Sequence, residues 1–251
     1  MLIGGRAHTV AEAEFIAQAG FPFAEISIRT PLEFKREVAS FRRLQDRFGI
    51  FYVAHGPEEV NTWEPEKLRA DFLPLIRSLL DCAAELAITV FTLHFWLDRR
   101  FVADDIAAEK IEILKAMTGH ADTCGIKLCI ENLSEQVSDF SPVFAAIEGL
   151  GMTLDVGHGE LLTARNTAYE FAAGWLQRIW HVHLHDNRGG DTVEDDLHLP
   201  LGEGVIDFAA ILGCLRKQGY GRTMTLEIAP AALKSGKNII EQIWQKEAPA
   251  A

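Results

Sequence analysis

Long apolar runs, paired cysteines and basic charge are what this chain of 251 residues is short of. Its most apolar stretch, Leu79 to Leu97, is broken by Asp81 and Glu85. That excludes a membrane helix, which needs roughly 20 consecutive apolar residues. Met1 to Val10 carries no apolar segment of secretory type, so a cytoplasmic location is expected. The four cysteines, Cys82, Cys124, Cys129 and Cys214, are too scattered for a disulfide framework. The Cys124–Cys129 gap is not that of a redox or zinc pair, and the thiols read as buried and reduced. Lys plus Arg number 24 against 36 Asp plus Glu, a net charge of −12. A nucleic-acid surface needs a basic footprint, so nucleic acid is not the expected partner. With 48% hydrophobic residues the chain buries a large core, and no linker or composition shift divides it.

What is present is an alternation. Short β-branched and aromatic runs lie at Leu2–Gly4, Ala24–Ile28, Phe51–His55, Val90–Phe95, Lys127–Glu131, Thr153–Val156, Ile179–His185 and Thr223–Ile228. Helical spacing follows each, at Val10–Ala19, Glu33–Phe48, Glu66–Leu86, Asp105–Cys124, Val143–Gly149, Ala168–Trp175, Phe208–Gln218 and Lys237–Lys246. Gly20, Gly49, Gly125 and Gly219 fall just past helix ends, where a left-handed cap is expected. Eight strand–helix units in this length predict an α/β fold, a single-domain (β/α)8 TIM barrel over residues 1–251.

Possible metal ligands recur on this map once per unit. His55 ends strand three, His94 strand four and Glu131 strand five. Asp155 and His158 close strand six, His183 lies on strand seven and Glu227 on strand eight. The long loop after strand seven adds Asp196 and His198. The steps from His55 to His94, Glu131, Asp155, His183 and Glu227 are 39, 37, 24, 28 and 44 residues. Each is about one βα unit, which places one ligand at the end of successive strands, where barrel active sites form. Converging carboxylates repel unless paired, and divalent cations resolve that. Imidazole with carboxylate suits zinc, manganese or iron, in one to three ions. His181 and His185 share the parity of His183 and read as structural or supporting groups; His8 and His120 are assigned no role. Arg6, Arg29, Arg99, Arg100, Arg165 and Arg188 are expected in loops on the ligand face, where they favour an anionic substrate. Trp63 and Trp96 stand where they would stack on a sugar or simply pack.

The stretch His-Val-His-Leu-His-Asp-Asn-Arg, followed by His-Leu-Pro-Leu-Gly-Glu-Gly-Val-Ile-Asp-Phe, resembles the xylose isomerase-like barrels. That family includes sugar phosphate isomerases and epimerases and the endonuclease IV type (AP endonuclease family 2) of abasic-site nuclease. The resemblance implies a metal-dependent enzyme. In the keto-sugar epimerases two glutamates, an aspartate and a histidine hold one metal, matching Glu131, Asp155, Glu227 and His183. The two glutamates form the acid/base pair there. The nuclease branch uses nine ligands around three zincs. His55, His94, Glu131, Asp155, His158, His183, Asp196, His198 and Glu227 match all nine.

The expected function is a divalent-metal-dependent sugar or sugar-phosphate isomerase or epimerase. Proton transfer beside a carbonyl would pass through a metal-stabilised enediolate, with Glu131 and Glu227 catalytic and His158 and Arg188 contacting substrate oxygens. The alternative is a multinuclear metal-dependent phosphodiester hydrolase of the endonuclease IV type. There Glu131 would bridge two ions, His55 and His94 completing one and Asp155, His183 and Glu227 the other. His158, Asp196 and His198 would hold a third. A binding module without catalysis is a third reading with no positive feature behind it. The expected partner is a small molecule, with no membrane; outer barrel helices often form dimers, so a homo-oligomer stays open.

Overall fold

The computed structural model of the chain describes residues 1–245, so Lys246, expected above to end the last helix, lies outside the described residues. Eight parallel strands close in sequence order: β1 (Leu2–Ala7), β2 (Phe23–Ser27), β3 (Phe51–His55), β4 (Val90–His94), β5 (Lys127–Glu131), β6 (Gly151–Asp155), β7 (Ile179–Leu184) and β8 (Thr223–Leu226). The helices outside are α1 (Val10–Gln18), α2 (Pro31–Phe48), α3 (Pro65–Lys67), α4 (Leu73–Ala84), α5 (Asp104–Thr123), α6 (Val137–Ala146), α7 (Ala168–Trp175), α8 (Phe208–Lys217) and α9 (Leu233–Gln245). A π-helical turn, Leu68–Phe72, joins α3 to α4, so the two form one crossover unit. The fold is a (β/α)8 barrel. No helix among the described residues is long and apolar enough to cross a membrane.

The two-residue period of a strand sorts side chains to the two faces of the barrel wall. Outward residues such as Ile26, Ala54, Leu93, Ile130, Leu154 and Leu184 join the large apolar core under the helices. Helix stripes such as Phe34, Phe41 and Leu44 of α2 complete it. Burying each large side chain there stabilises the fold by about 1.5–3 kcal/mol. A smaller apolar cluster, Phe23, Val53, Val90 and Cys129, is separate from that core and plugs the barrel floor. Residues of the same parity further along each strand are polar, and they line the upper interior. Thus Phe23 is followed by Glu25, Val53 by His55, Cys129 by Glu131 and His181 by His183.

Gly49 caps α2 with φ 67 and an N–H to the Gln45 carbonyl; Gly20, Gly125 and Gly219 also have positive φ. Several elements differ from the sequence reading: α9 starts at Leu233, four residues earlier than expected, and β6 at Gly151, two residues earlier. β1 is six residues long, which puts Arg6 inside a strand rather than in a loop. Helix α6 starts at Val137, six residues earlier than expected. Gln136 and Asp139 form a reciprocal capping box there, and Ile147 turns extended (φ −130), so the apolar residues after it lead into β6.

Candidate metal centre

Strand order brings the sequence-separated ligands into one ring at the C-terminal end of the barrel. Register pairs His94 with Glu131 across β4–β5 and Asp155 with His183 across β6–β7. Glu227 lies one residue past β8, still on the ladder through its N–H to the Leu184 carbonyl. Glu131 and Asp155 are fully buried. His55 Nε2 and His94 Nε2 stand 3.1 and 3.2 Å from Glu131 Oε2. His183 Nδ1 is 3.1 Å from Glu131 and 3.5 Å from both Asp155 and Glu227. His158 Nε2 and His198 Nε2 each lie 3.1 Å from Asp196 Oδ2. All nine ring residues expected from the sequence are thus brought together.

The loop after β7 delivers Asp196 and His198. Buried Asp186 accepts the N–H groups of Gly202 and Ile206, which folds the loop back on β7. Asn187 donates to Asp196 Oδ1 and accepts the Leu197 N–H. His198 sits at φ 46, a left-handed conformation that a non-glycine residue holds only where its surroundings enforce it. Gly157, after β6, is required by close approach: a Cβ there would lie 2.1 Å from the His185 ring.

The imidazole hydrogen bonds identify which nitrogens face the ring. His55 Nδ1–H donates to the Gly56 carbonyl at 2.8 Å and His198 Nδ1–H to the Glu227 carbonyl at 2.9 Å. His158 Nδ1–H has two acceptors, the Asn132 carbonyl at 3.1 Å and Glu131 Oε1 at 3.2 Å. His183 faces a carboxylate at each nitrogen, Glu131 at Nδ1 (3.1 Å) and Glu25 at Nε2 (3.0 Å). Carbonyls and carboxylates only accept, so in each neutral ring the other nitrogen turns a lone pair toward a carboxylate about 3 Å away. Lone pair against carboxylate is repulsive, and each such gap calls for a shared cation. Histidines that turn one nitrogen inward while the other has an acceptor of its own are arranged as metal ligands are, once the inner proton is lost. The donor set fits a divalent ion such as zinc, manganese or iron.

Protons compete for the same gaps. Burial alone would lower His158 and His183, but the surrounding carboxylates outweigh it and hold both well above the usual imidazole range. His198 rises to about 9 against the pull of burial, through Asp196 and Glu227. Against burial, Glu131, Asp155 and Asp196 are held below the usual carboxylate range by the histidines, and Glu227 by His183 and Arg6. His55 is lowered, chiefly by burial and next by Arg6. A metal ion taken up here would therefore displace protons from the ring.

A cavity of about 890 Å³ opens above the ring. Its wall includes Arg6, His8, Arg29, His158, His198 and Glu227. His8, given no role from sequence, is on this wall with Nδ1 3.0 Å from Ser27 Oγ. Arg188 is exposed, turned to the Glu203 carbonyl at 3.4 Å, and does not line the cavity. Trp63 and Trp96 pack on each other at 5.9 Å and also stand outside it. His120 is on the outer helices, 2.8 Å from Asp81. His185 joins the ring, 3.1 Å from Asp155 and stacked on His198 at 3.9 Å. Glu25 went unnoticed in the sequence, and period-two alternation in Phe23–Ser27 was the signal for it.

A closed barrel with carboxylates and imidazoles converging at its C-terminal mouth defines a class of site-bearing fold. A family model described as "Xylose isomerase-like TIM barrel" matches residues 13–247, and the chain belongs to that family. An uncharacterised protein of Methanocaldococcus jannaschii, MJ1311, is 29% identical over 238 residues, covering 84% of this chain and 73% of its own length. A solved D-tagatose 3-epimerase-like protein superposes with a TM-score of 0.83 at 25% identity, over 97% of each chain. The IolI protein, solved with a bound zinc atom, shares the fold over all of both chains, with a TM-score of 0.77 and 15% identity.

Proposed function

We propose that the protein is a divalent-metal-dependent isomerase or epimerase of a sugar or sugar phosphate, with Glu131 and Glu227 as its acid/base pair. The observation that carries this is the pairing of these two glutamates on one imidazole, His183 Nδ1, at 3.1 and 3.5 Å beneath the open cavity. Glu131, Asp155, His183 and Glu227 would hold the ion, and the IolI neighbour was solved with a zinc atom bound. A divalent ion, when bound, supplies electrophilic stabilisation of negative charge developing on a carbonyl and its neighbouring hydroxyl oxygen. Glu227, on the cavity wall and held ionised, takes the proton from the carbon beside the carbonyl. Glu131 returns a proton, and His158 holds a substrate hydroxyl.

The arginines narrow the substrate. Arg99 and Arg100 are paired with Asp104 and Asp98, and Arg165 lies over the Tyr169 ring. Exposed Arg29, on the cavity rim, is the group placed to meet a phosphate or carboxylate. The test is solvent exchange. The metal-loaded protein, incubated in D₂O with a panel of ketoses, aldoses and their phosphates, should introduce deuterium beside the carbonyl of at least one. No incorporation in any overturns the reading.

Phosphoester hydrolysis is the second reading, and one observation favours it. His158, His185, Asp196 and His198 bring ligand atoms within 4.8 Å of one another, beside a separate His55–His94–Glu131 group, which is room for more than one ion. A single ion per chain in fully active protein excludes it.

A further inference from the structure

Beneath the ring lies a buried polar layer that the chemistry above leaves without a role. Glu25, on β2, is fully buried. It accepts Nε2–H from His183 at 3.0 Å and from His181 at 3.1 Å. The Arg6 guanidinium, from β1, stands 3.1 Å from Glu25 and 3.7 Å from Glu227. Arg6 Nη2 donates to Ser27 Oγ at 3.2 Å. A buried carboxylate is expensive unless its charge is balanced, so mere packing does not account for it.

Geometry gives it a task. His183 has two ring nitrogens, and only the unprotonated one can serve as a ligand. Nδ1 faces Glu131, Asp155 and Glu227 while Nε2 faces Glu25, so with a cation at Nδ1 the remaining N–H of the ring has Glu25 as its acceptor. We propose that Glu25 is a positioning residue for the metal centre, fixing the tautomer and ring orientation of His183 while Arg6 balances its charge and ties it to Glu227. The inference rests on the metal reading of the ring, though not on which reaction the ring performs.

Zinc affinity, measured on the full chain by competition with a chromogenic chelator, tests it without any assay of turnover. Glu25→Gln is expected to weaken zinc binding by about 10–100-fold, the usual loss when a supporting partner of a metal-bound histidine is removed. Nitrogen-15 NMR of the zinc-loaded variant should show His183 losing its single Nε2–H form. Arg6→Met should weaken zinc as well, with Arg6→Lys recovering part of the loss. Thr225→Val removes only a contact of His181 and should leave zinc affinity at the wild-type level. If Glu25→Gln does not fold, the double variant Arg6→Met/Glu25→Gln, which removes both charges together, carries the same test. Wild-type zinc affinity and an intact His183 tautomer in Glu25→Gln, or in the double variant, overturn the proposal alone. A wild-type chain that holds no zinc, manganese or iron overturns the metal reading beneath it.

Discussion

Around Trp96 the chain buries charges that close on themselves. Lys110 Nζ lies 2.6 Å from Glu59 and Arg100 lies 2.6 Å from Asp98. Trp96 N–H adds to Glu59, and the Ser134 hydroxyl to Asp98. A few residues away, the ring of Glu131, Asp155, Asp196 and Glu227 is built differently. Its nearest fixed cation, Arg6, is shared with Glu25, and its imidazoles turn their bare nitrogens inward. The first cluster gives Glu59 and Asp98 each a permanent cation. The second is short of positive charge and must borrow protons or take up metal. Buried charge by itself thus marks no function; what marks it is charge that the protein leaves unbalanced.

The sharpest way to break this contrast is to remove charge from the ring. Glu131→Gln should lower turnover by about 10²–10⁴-fold, the range for losing an acid/base group, and weaken metal binding. Because burial is outweighed by the surrounding histidines, which hold Glu131 below the usual carboxylate range, the metal-free variant should melt below the metal-free wild type. An unchanged melting point would show that the histidines do not hold this carboxylate in the metal-free ring. The cluster around Trp96, a clasp of paired charges, should respond differently. Lys110→Met strands Glu59 in the interior and should cost about 3–5 kcal/mol in denaturant unfolding while leaving metal affinity unchanged. Chelation of wild-type protein comes next: at free ion a hundred times its Kd, binding adds about 2.7 kcal/mol, so the melting temperature should fall on stripping and recover on reloading.

A smaller effect follows from pH. His198 has a folded value of about 9, above the ordinary 6.5. Its contribution to metal-free stability is therefore fully present below pH 6.5 and lost as pH rises through 9. Thermal melts of stripped protein across that window should decline, and His198→Gln should flatten the decline. Arg188→Ala is expected to do least, changing stability by no more than about 0.5 kcal/mol, as an exposed group does. Its KM should stay at the wild-type level; a large rise in KM would return it to the substrate site.

Most of the ring was legible because its members recur about once per βα unit at or near strand ends, a local property; Asp196 and His198 come from the loop after β7. The clasp was not: Lys110 lies in a helical stripe and Glu59 in a loop, and nothing local joins them. Arg6 was expected on the ligand face but in a loop, because Gly4 and Gly5 weaken the β1 pattern and left the strand three residues too short in the reading. Arg188 was placed with the site because its loop follows β7. The path of that loop is decided by Asp186, whose hydrogen bonds reach Gly202 and Ile206 far along the chain.

The sequence by itself determined the barrel and which side chains point inward, because strand alternation and helix periodicity are written in neighbouring residues. Only the tertiary structure decided which inward groups meet. Closing the barrel sets β1 against β8, and the interior brings Glu25 of β2 to His183 of β7 across 158 positions of chain. Arg6 reaches both Glu25 and Glu227 by the same closure. Hydrogen bonds and charge balance act over about 3 Å of space, and separation along the sequence carries no trace of that distance.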